Sequence, residues 1–228
     1  MQARSLGERL GAELAAKTAM LLAMAAGVVV PYFSLQRWRP FPAREPFVTP
    51  LDALVPFSPD WAPAYLSVCL LVPLFPLLAQ QREDVWRFGR GIFWLCLPCF
   101  AFFLLAPMPG PRPAAAAGDG LYGWLIGVDA TWNTFPSLHA GLVVFSFLYG
   151  WRVLGEALGK SGRRVLALAS LAWAAAILYG TLATKQHWLA DLPAAFVLAF
   201  AAHRRAWRGA GRSAAPVASS DAVASRAP

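Results

Sequence analysis

Long uncharged apolar runs alternate along this chain with short segments rich in arginine. Thr18 to Gln36, Trp61 to Gln81, Gly91 to Pro111 and Val165 to Thr184 carry no charged side chain. The run from Ser137 to Leu158 holds Arg152 and Glu156 near its far end, and the run from His187 to Arg204 holds Asp191 one turn in. About 20 mainly apolar residues cross the hydrocarbon core of a bilayer. The pattern therefore predicts six membrane-crossing helices: an all-α, polytopic bundle over residues 18–208. The stretch between the third and fourth runs reads as a polar, Pro/Gly-rich loop.

Residues 1–17 form a separate N-terminal segment. Leu6, Leu10 and Leu14 recur at helical spacing with Glu8, Arg9 and Glu13 between them, the pattern of a short helix lying on a membrane surface. Residues 209–228 are Ala/Ser-rich without an aromatic residue and are expected to be disordered. The first apolar run has no small-residue cleavage site and reads as a retained span rather than a leader. No internal repeat is visible.

Alternate loops differ sharply in basic residues. Arg4, Arg9, Lys17, Arg82, Arg87, Arg90, Arg152, Lys160, Arg163, Arg164, Arg204, Arg205, Arg208, Arg212 and Arg226 fall on one side; Arg37, Arg39, Arg44, Arg112 and Lys185 fall on the other. Cytoplasmic loops carry the excess of Lys and Arg, so both termini are expected in the cytoplasm. The expected location is a cell membrane, the inner membrane of a bacterium. Trp38, Trp61, Trp151, Trp188 and Trp207 lie near run ends, as an interfacial belt requires.

Composition sharpens this picture. Hydrophobic residues make up 58% of the chain and charged ones 14%, with a mean hydropathy of +0.50. Soluble domains are about a quarter charged. Lys+Arg 20 against Asp+Glu 12 gives a formal charge of +8, which fits loops beside anionic lipid and argues against nucleic acid as a partner. Cys96 and Cys99 have C-x-x-C spacing but no second ligand pair, and sit inside an apolar run. They read as packed thiols.

Chemistry concentrates in two segments on the expected outer side: Asn133-Thr-Phe-Pro-Ser-Leu-His139, and Thr184-Lys-Gln-His-Trp-Leu-Ala-Asp191. His187 and Asp191 are four apart, which on a helix places them one turn apart on one face. The carboxylate would hold one imidazole nitrogen and leave the other free as nucleophile or base. Taken singly, His187 and Asp191 can equally be a polar pair satisfying one another, and His139 a helix cap. Polar residues inside membrane segments are functional candidates by default. Arg112 and Lys185 on the same side, with the helix start at Ser137, supply the cations and N–H donors that phosphate chemistry needs.

These motifs resemble those of the type 2 phosphatidic acid phosphatase superfamily, whose pattern is K-x6-R-P, P-S-G-H and S-R-x5-H-x3-D. Pro136-Ser-Leu-His139 matches the second part with Leu138 in place of glycine, His187-x3-Asp191 matches the third, and Arg112-Pro113 ends the first. Leu105 stands at the family lysine and Gly180-Thr181 at the S-R pair. The form F-P-S-L-H-A with K-Q-H-x3-D is similar to the branch of inositol-phosphorylceramide and sphingomyelin synthases.

The resemblance implies a six-helix membrane lipid phosphate phosphatase. His187 would attack phosphorus, Asp191 would orient it, and His139 would act as acid and then base. Arg112, Lys185 and Ser137 would hold the phosphate, with Asn133, Thr184 and Gln186 supporting them. No metal or other cofactor is implied. A lipid phosphotransferase, passing the group to an alcohol, and a non-catalytic lipid-binding membrane protein are the alternatives. The sequence names neither the lipid nor the oligomeric state.

Overall fold

The computed structural model describes residues 6–113, 120–155 and 158–208, so the tail at 209–228 lies outside the described residues. Among the described residues most are helical and none lies in a strand. Helix α1 is Leu6–Gly11, α2 Leu14–Met24 and α3 Val30–Arg37; the last two are joined through a π-helical segment, Ala25–Val29. Then come α4 (Ala62–Leu66), α5 (Val68–Leu77), α6 (Arg82–Leu105), α7 (Gly120–Val128), α8 (Leu138–Gly155), α9 (Lys160–Ala183) and α10 (Asp191–Ala206). Five stretches among the described residues are long and apolar enough to cross a membrane: Leu14–Arg37, Pro59–Leu77, Arg82–Leu105, Leu138–Gly155 and Lys160–Ala183.

Several boundaries differ from the sequence expectation, each for a local reason. The third span starts at Arg82 rather than Gly91. Glu83 and Asp84 suit a helix N-terminus, and Arg87 pairs with both, at 3.6 and 2.8 Å. It stops at Leu105 because Pro107, Pro109 and Pro111 lack the N–H a helix needs. Pro31 has the same defect at the start of α3, and the wider π-helical turn sits just before it. The sixth run is helical only from Asp191, leaving 16 residues, roughly 24 Å of helix against a core of about 30 Å. Helix α7 falls in the stretch expected to be a loop. Its sequence, GLYGWLIGV, is apolar but has only nine residues.

Helix α8 runs through the middle of the bundle, packed against α5, α6, α9 and α10. Phe88, Leu95, Cys99, Phe145 and Tyr149 are fully buried around it. Gly91 is required there: a Cβ would lie 2.1 Å from Cζ of Phe145. Cys96 and Cys99 are free and buried in this core, as packed thiols, whereas Cys69 is exposed. The charge on Arg152 is met by the face of Trp207, 4.3 Å away. The outer flanks are the reverse of a soluble surface. Val197 is 68% exposed, Leu70 67% and Leu22 66%, an apolar belt suited to lipid.

Helices α3, α6 and α9 end, and α4, α8 and α10 begin, at one end of the bundle. Every candidate site residue lies at that end.

Candidate active site

Three loops meet at this end, and backbone hydrogen bonds fix their register. Met108 and Asn133 form an isolated parallel bridge. Gly110 N–H donates to the Thr131 carbonyl at 2.8 Å, and Thr134 Oγ1 to the Met108 carbonyl at 2.9 Å. A Cβ on Gly110 would come within 2.9 Å of Cβ of Thr131 and 3.1 Å of the Gln186 carbonyl, so only glycine permits the approach. Trp188 Nε1 donates to the Pro109 carbonyl at 2.9 Å and ties in the third loop.

That third loop begins where α9 ends. Lys185 N–H donates to the Leu182 carbonyl and Gln186 N–H to Thr181. This is the Schellman pattern, with Lys185 in the left-handed position (φ 55°) that glycine usually fills. The turn releases the chain from helical geometry before His187, so His187 does not lie on a helix with Asp191 as the spacing suggested. Asp191 opens α10 instead, and the loop folds back over it. His187 Nδ1 lies 3.0 Å from the Thr134 carbonyl and 3.3 Å from Asp191 Oδ2. Both are acceptors, so Nδ1 carries the proton and Nε2 of the neutral ring is left with its lone pair. Asp191 Oδ2 is itself fixed by Trp188 N–H at 2.9 Å. His187 and Asp191 are 3% and 1% exposed.

His139 is the second residue of α8. Its ring lies beside that of His187, with centroids 5.8 Å apart. Ser137 Oγ accepts the Ala140 N–H at 3.2 Å, a helix cap. Ser137 N–H is taken by the Asp191 carbonyl at 3.2 Å, which links the two motif segments directly. The next N–H groups of α8 have no intrahelical acceptor.

Sequence reasoning missed the group behind His139. Tyr65 lies against it, with ring centroids 4.6 Å apart and the hydroxyl 3.4 Å from Nδ1. The same hydroxyl donates to Asp129 Oδ2 at 3.3 Å, which leaves its oxygen to accept from His139 Nδ1–H. Asp129, buried, also accepts from Tyr32 and from Gln36 Nε2. Each histidine is thus backed by a buried aspartate: His187 directly, His139 through a tyrosine. One signal was available, since Tyr32 and Gln36 are polar positions four apart in an otherwise apolar run.

Arg112 reaches into the same space. Its Nη1 donates to the Asp129 carbonyl at 2.5 Å and its Nη2 to Gln186 Oε1. Nε is buried with no protein partner. Gln186 is held in turn by donating to the Thr184 carbonyl at 3.0 Å. Asn133 donates to the Tyr32 carbonyl and leaves Oδ1 unpartnered. Thr184 Oγ1 bonds back to Gly180 at 2.6 Å, a structural contact. Lys185 is brought to the rim rather than between the histidines. Its Nζ donates to the carbonyls of Val55 (2.5 Å) and Asp52 (3.4 Å).

Asp52 clamps this outer loop over the site. It accepts Leu189 N–H at 2.7 Å on one oxygen, and Thr49 N–H and Oγ1 at 2.8 and 2.7 Å on the other. Burial opposes its ionisation. The hydrogen bonds from Leu189 and Thr49 and the charge of Lys185 outweigh that and hold its carboxyl below the ordinary value. A depressed carboxylate pKa stabilises the fold above the unfolded value, and that contribution is lost as pH falls through the folded one. Asp52→Ala is therefore expected to cost about 1–3 kcal/mol at neutral pH, toward the lower end because the group is partly solvated. The gap in unfolding temperature between variant and parent should hold down to about pH 5 and then close. A gap that persists at lower pH would show that the charge of Asp52 is not what holds the loop.

Among the described residues, cavities reach the histidines from different sides. One of about 310 Å³ lies between His187 and the outer loop, beside Asp52, Lys185 and Trp188. A polar cleft of about 10 Å³, no larger than one water needs, is lined by Tyr65, Asp129, Asn133 and His187. The third, of about 340 Å³, is apolar and ends at His139 and Tyr32. Among the described residues no group of three or more His, Cys, Asp or Glu gathers to hold a metal ion.

Apolar helices long enough to span a membrane, two neighbouring histidines and a half-buried arginine at one end of the bundle are an arrangement suited to phosphate esters. Residues 103–214 match the family model of the PAP2 superfamily, a stretch that includes Arg112, His139, His187 and Asp191. Residues 103–214 are thus a PAP2 superfamily domain, which supports an activity of the phosphatase or phosphotransferase type. No curated protein and no solved structure matches the chain.

Proposed function

We propose that the protein is an integral membrane lipid phosphate phosphatase that works through a phosphohistidine at the outer membrane face. The observation that carries this reading is the double hold on His187 Nδ1 by the Thr134 carbonyl and Asp191, with His139 facing the same space. Nε2 of His187 attacks phosphorus and the ester P–O bond breaks. The departing alkoxide takes a proton from His139. His139 then removes a proton from water, whose oxygen attacks the phosphohistidine and breaks the P–N bond. Arg112, with an unused N–H at Nε, and the first N–H groups of α8 bear the phosphoryl charge. Lys185 acts from the rim on the outer oxygens.

The test is to incubate the purified full chain with radiolabelled lipid phosphates, with and without alcohol acceptors. Release of inorganic phosphate supports the phosphatase, and transfer to the added alcohol would replace it with the phosphotransferase. With Arg112 and backbone donors bearing the charge, chelators should leave turnover unchanged, and vanadate, which mimics pentacoordinate phosphorus, should inhibit. A strict requirement for added magnesium would contradict this.

The outer-face assignment rests on the excess of Lys and Arg at the opposite end. With the native cysteines replaced, Ala43→Cys in the outer loop should react with an impermeant maleimide in intact cells. Ser161→Cys, exposed at the start of α9, should react only after lysis. The reverse pattern would turn the protein over.

A further inference from the structure

Helix α7 carries no charged side chain in its nine residues. That is roughly 14 Å of helix against a hydrocarbon core of about 30 Å, too little to cross. One face is used inside the protein: Tyr122 and Leu125 form a buried cluster with Ala62 and Tyr65 of α4. Leu121 and Trp124, three apart on another face, are 44% and 57% exposed. The ends of the neighbouring spans carry a second aromatic group. Trp61, just before α4, and Tyr179, near the end of α9, pack edge to face with centroids 4.6 Å apart, and both are exposed. Tryptophan and tyrosine collect at the membrane–water boundary, so this pair marks the height at which α4 and α9 leave the hydrocarbon. Helix α7 packs on α4 at that height.

The inner face of α7 reaches both networks that hold the site. Asp129 follows the helix directly, its N–H donating to the Leu125 carbonyl at 2.9 Å. The Asp129 carboxylate holds the Tyr65 hydroxyl behind His139, and its carbonyl accepts from Arg112. Tyr122 Oη donates to the Thr184 carbonyl at 3.3 Å. The same carbonyl fixes Gln186, which accepts from Arg112. A shift of α7 therefore moves His139 and Arg112 together.

We infer that α7 is seated in the outer leaflet, with Leu121 and Trp124 in the boundary between head groups and acyl chains, and that this seat fixes the height of His139 and Arg112. The occupant of the exposed face is the lipid surface. The face offers no charge to a polar protein partner, and a helix that lies in the interface plane turns its apolar side to the acyl chains. Indole suits that boundary because its ring is apolar while its N–H finds water or a head group. A displacement of about 1 Å at the reacting groups costs as much as 10²-fold in rate, so the seat acts on turnover. The link from seat to rate rests on the phosphatase reading; the seat itself does not.

The test uses the full-length protein without native cysteines, in phosphatidylcholine vesicles. Nitroxides are attached at Leu121→Cys and, for reference, at Ala43→Cys, exposed in the outer loop. Oxygen concentrates among acyl chains and a water-soluble nickel chelate is excluded from them. The label at 121 should relax mainly through oxygen and the label at 43 mainly through nickel. Equal nickel access at the two positions would put α7 in water, and exclusion of both reagents from 121 would mean that protein covers the face. Either result overturns the inference. Trp124→Asp and Leu121→Asp replace exposed side chains outside the catalytic machinery. Each should lower kcat on an alkyl phosphate roughly 10–10²-fold with the unfolding temperature near that of the parent. Trp124→Ala, which adds no charge, should lose less, and Trp124→Phe, which keeps an apolar ring at the boundary, should keep the parent rate. Parent rates in both aspartate variants, or losses that only track a fall in unfolding temperature, would break the link between seat and site and overturn the inference. Immersion at 121 beside an absence of phosphohistidine in the parent would instead overturn the catalytic reading and leave the seat standing.

Discussion

His187→Ala is expected to abolish both turnover and the covalent phosphoenzyme. No other imidazole can take its place, because His139 is held at Nδ1 by Tyr65 and lies on the leaving-group side. Removing the nucleophile of a covalent mechanism costs on the order of 10⁶-fold in rate. The measurement is acid-quenched radiolabel on the protein beside released phosphate. Label persisting on the variant would show that a different atom attacks. Asp191→Asn should be milder than loss of the aspartate in a lone triad, which costs about 10⁴-fold. The Thr134 carbonyl, at 3.0 Å, still accepts from Nδ1 and still enforces the tautomer. A loss as deep as that of His187→Ala would mean that the charge of Asp191, rather than ring orientation, governs attack.

Much of this fold was legible because a bilayer imposes a length and a composition on every crossing segment. The uncharged runs at Thr18–Gln36, Trp61–Gln81 and Val165–Thr184 became helices near the expected bounds. Where charge or proline entered, the boundary moved. Arg82 to Arg90 reads as a loop by hydropathy, yet its acids lie at the helix N-terminus and Arg87 and Arg90 pair back to them. Helix α7 was missed because nine apolar residues are too few to signal a span. The motif residues His139, His187, Asp191 and Arg112 could be picked out because each is a polar group in apolar surroundings. The partners that define their chemistry could not. The Thr134 carbonyl is a backbone atom, and Asp129, Tyr65, Tyr32 and Gln36 come from segments up to 97 residues apart. For Lys185 the sequence showed the charge but not the placement: a left-handed turn aims it at the carbonyls of the outer loop, on the rim of the site.

His139→Asn separates the two chemical steps. An alkoxide is a poor leaving group, so loss of the acid should slow formation of the phosphohistidine by roughly 10²–10⁴-fold with an alkyl phosphate. An aryl phosphate leaves without needing a proton, and on that substrate the first step should recover. The second step should not, because nothing then removes the proton from the attacking water. Acid-labile phosphoenzyme should therefore accumulate on His139→Asn with the aryl substrate and not with the alkyl one. The chain Asp129–Tyr65–His139 adds a graded control. Tyr65→Phe leaves the imidazole in place but removes the hydroxyl that accepts from Nδ1, so it should weaken the acid without trapping the intermediate as fully. Its kcat loss should be larger on alkyl than on aryl phosphate. Equal losses on both substrates, or full alkyl phosphatase activity in His139→Asn, would place the leaving-group acid on another residue.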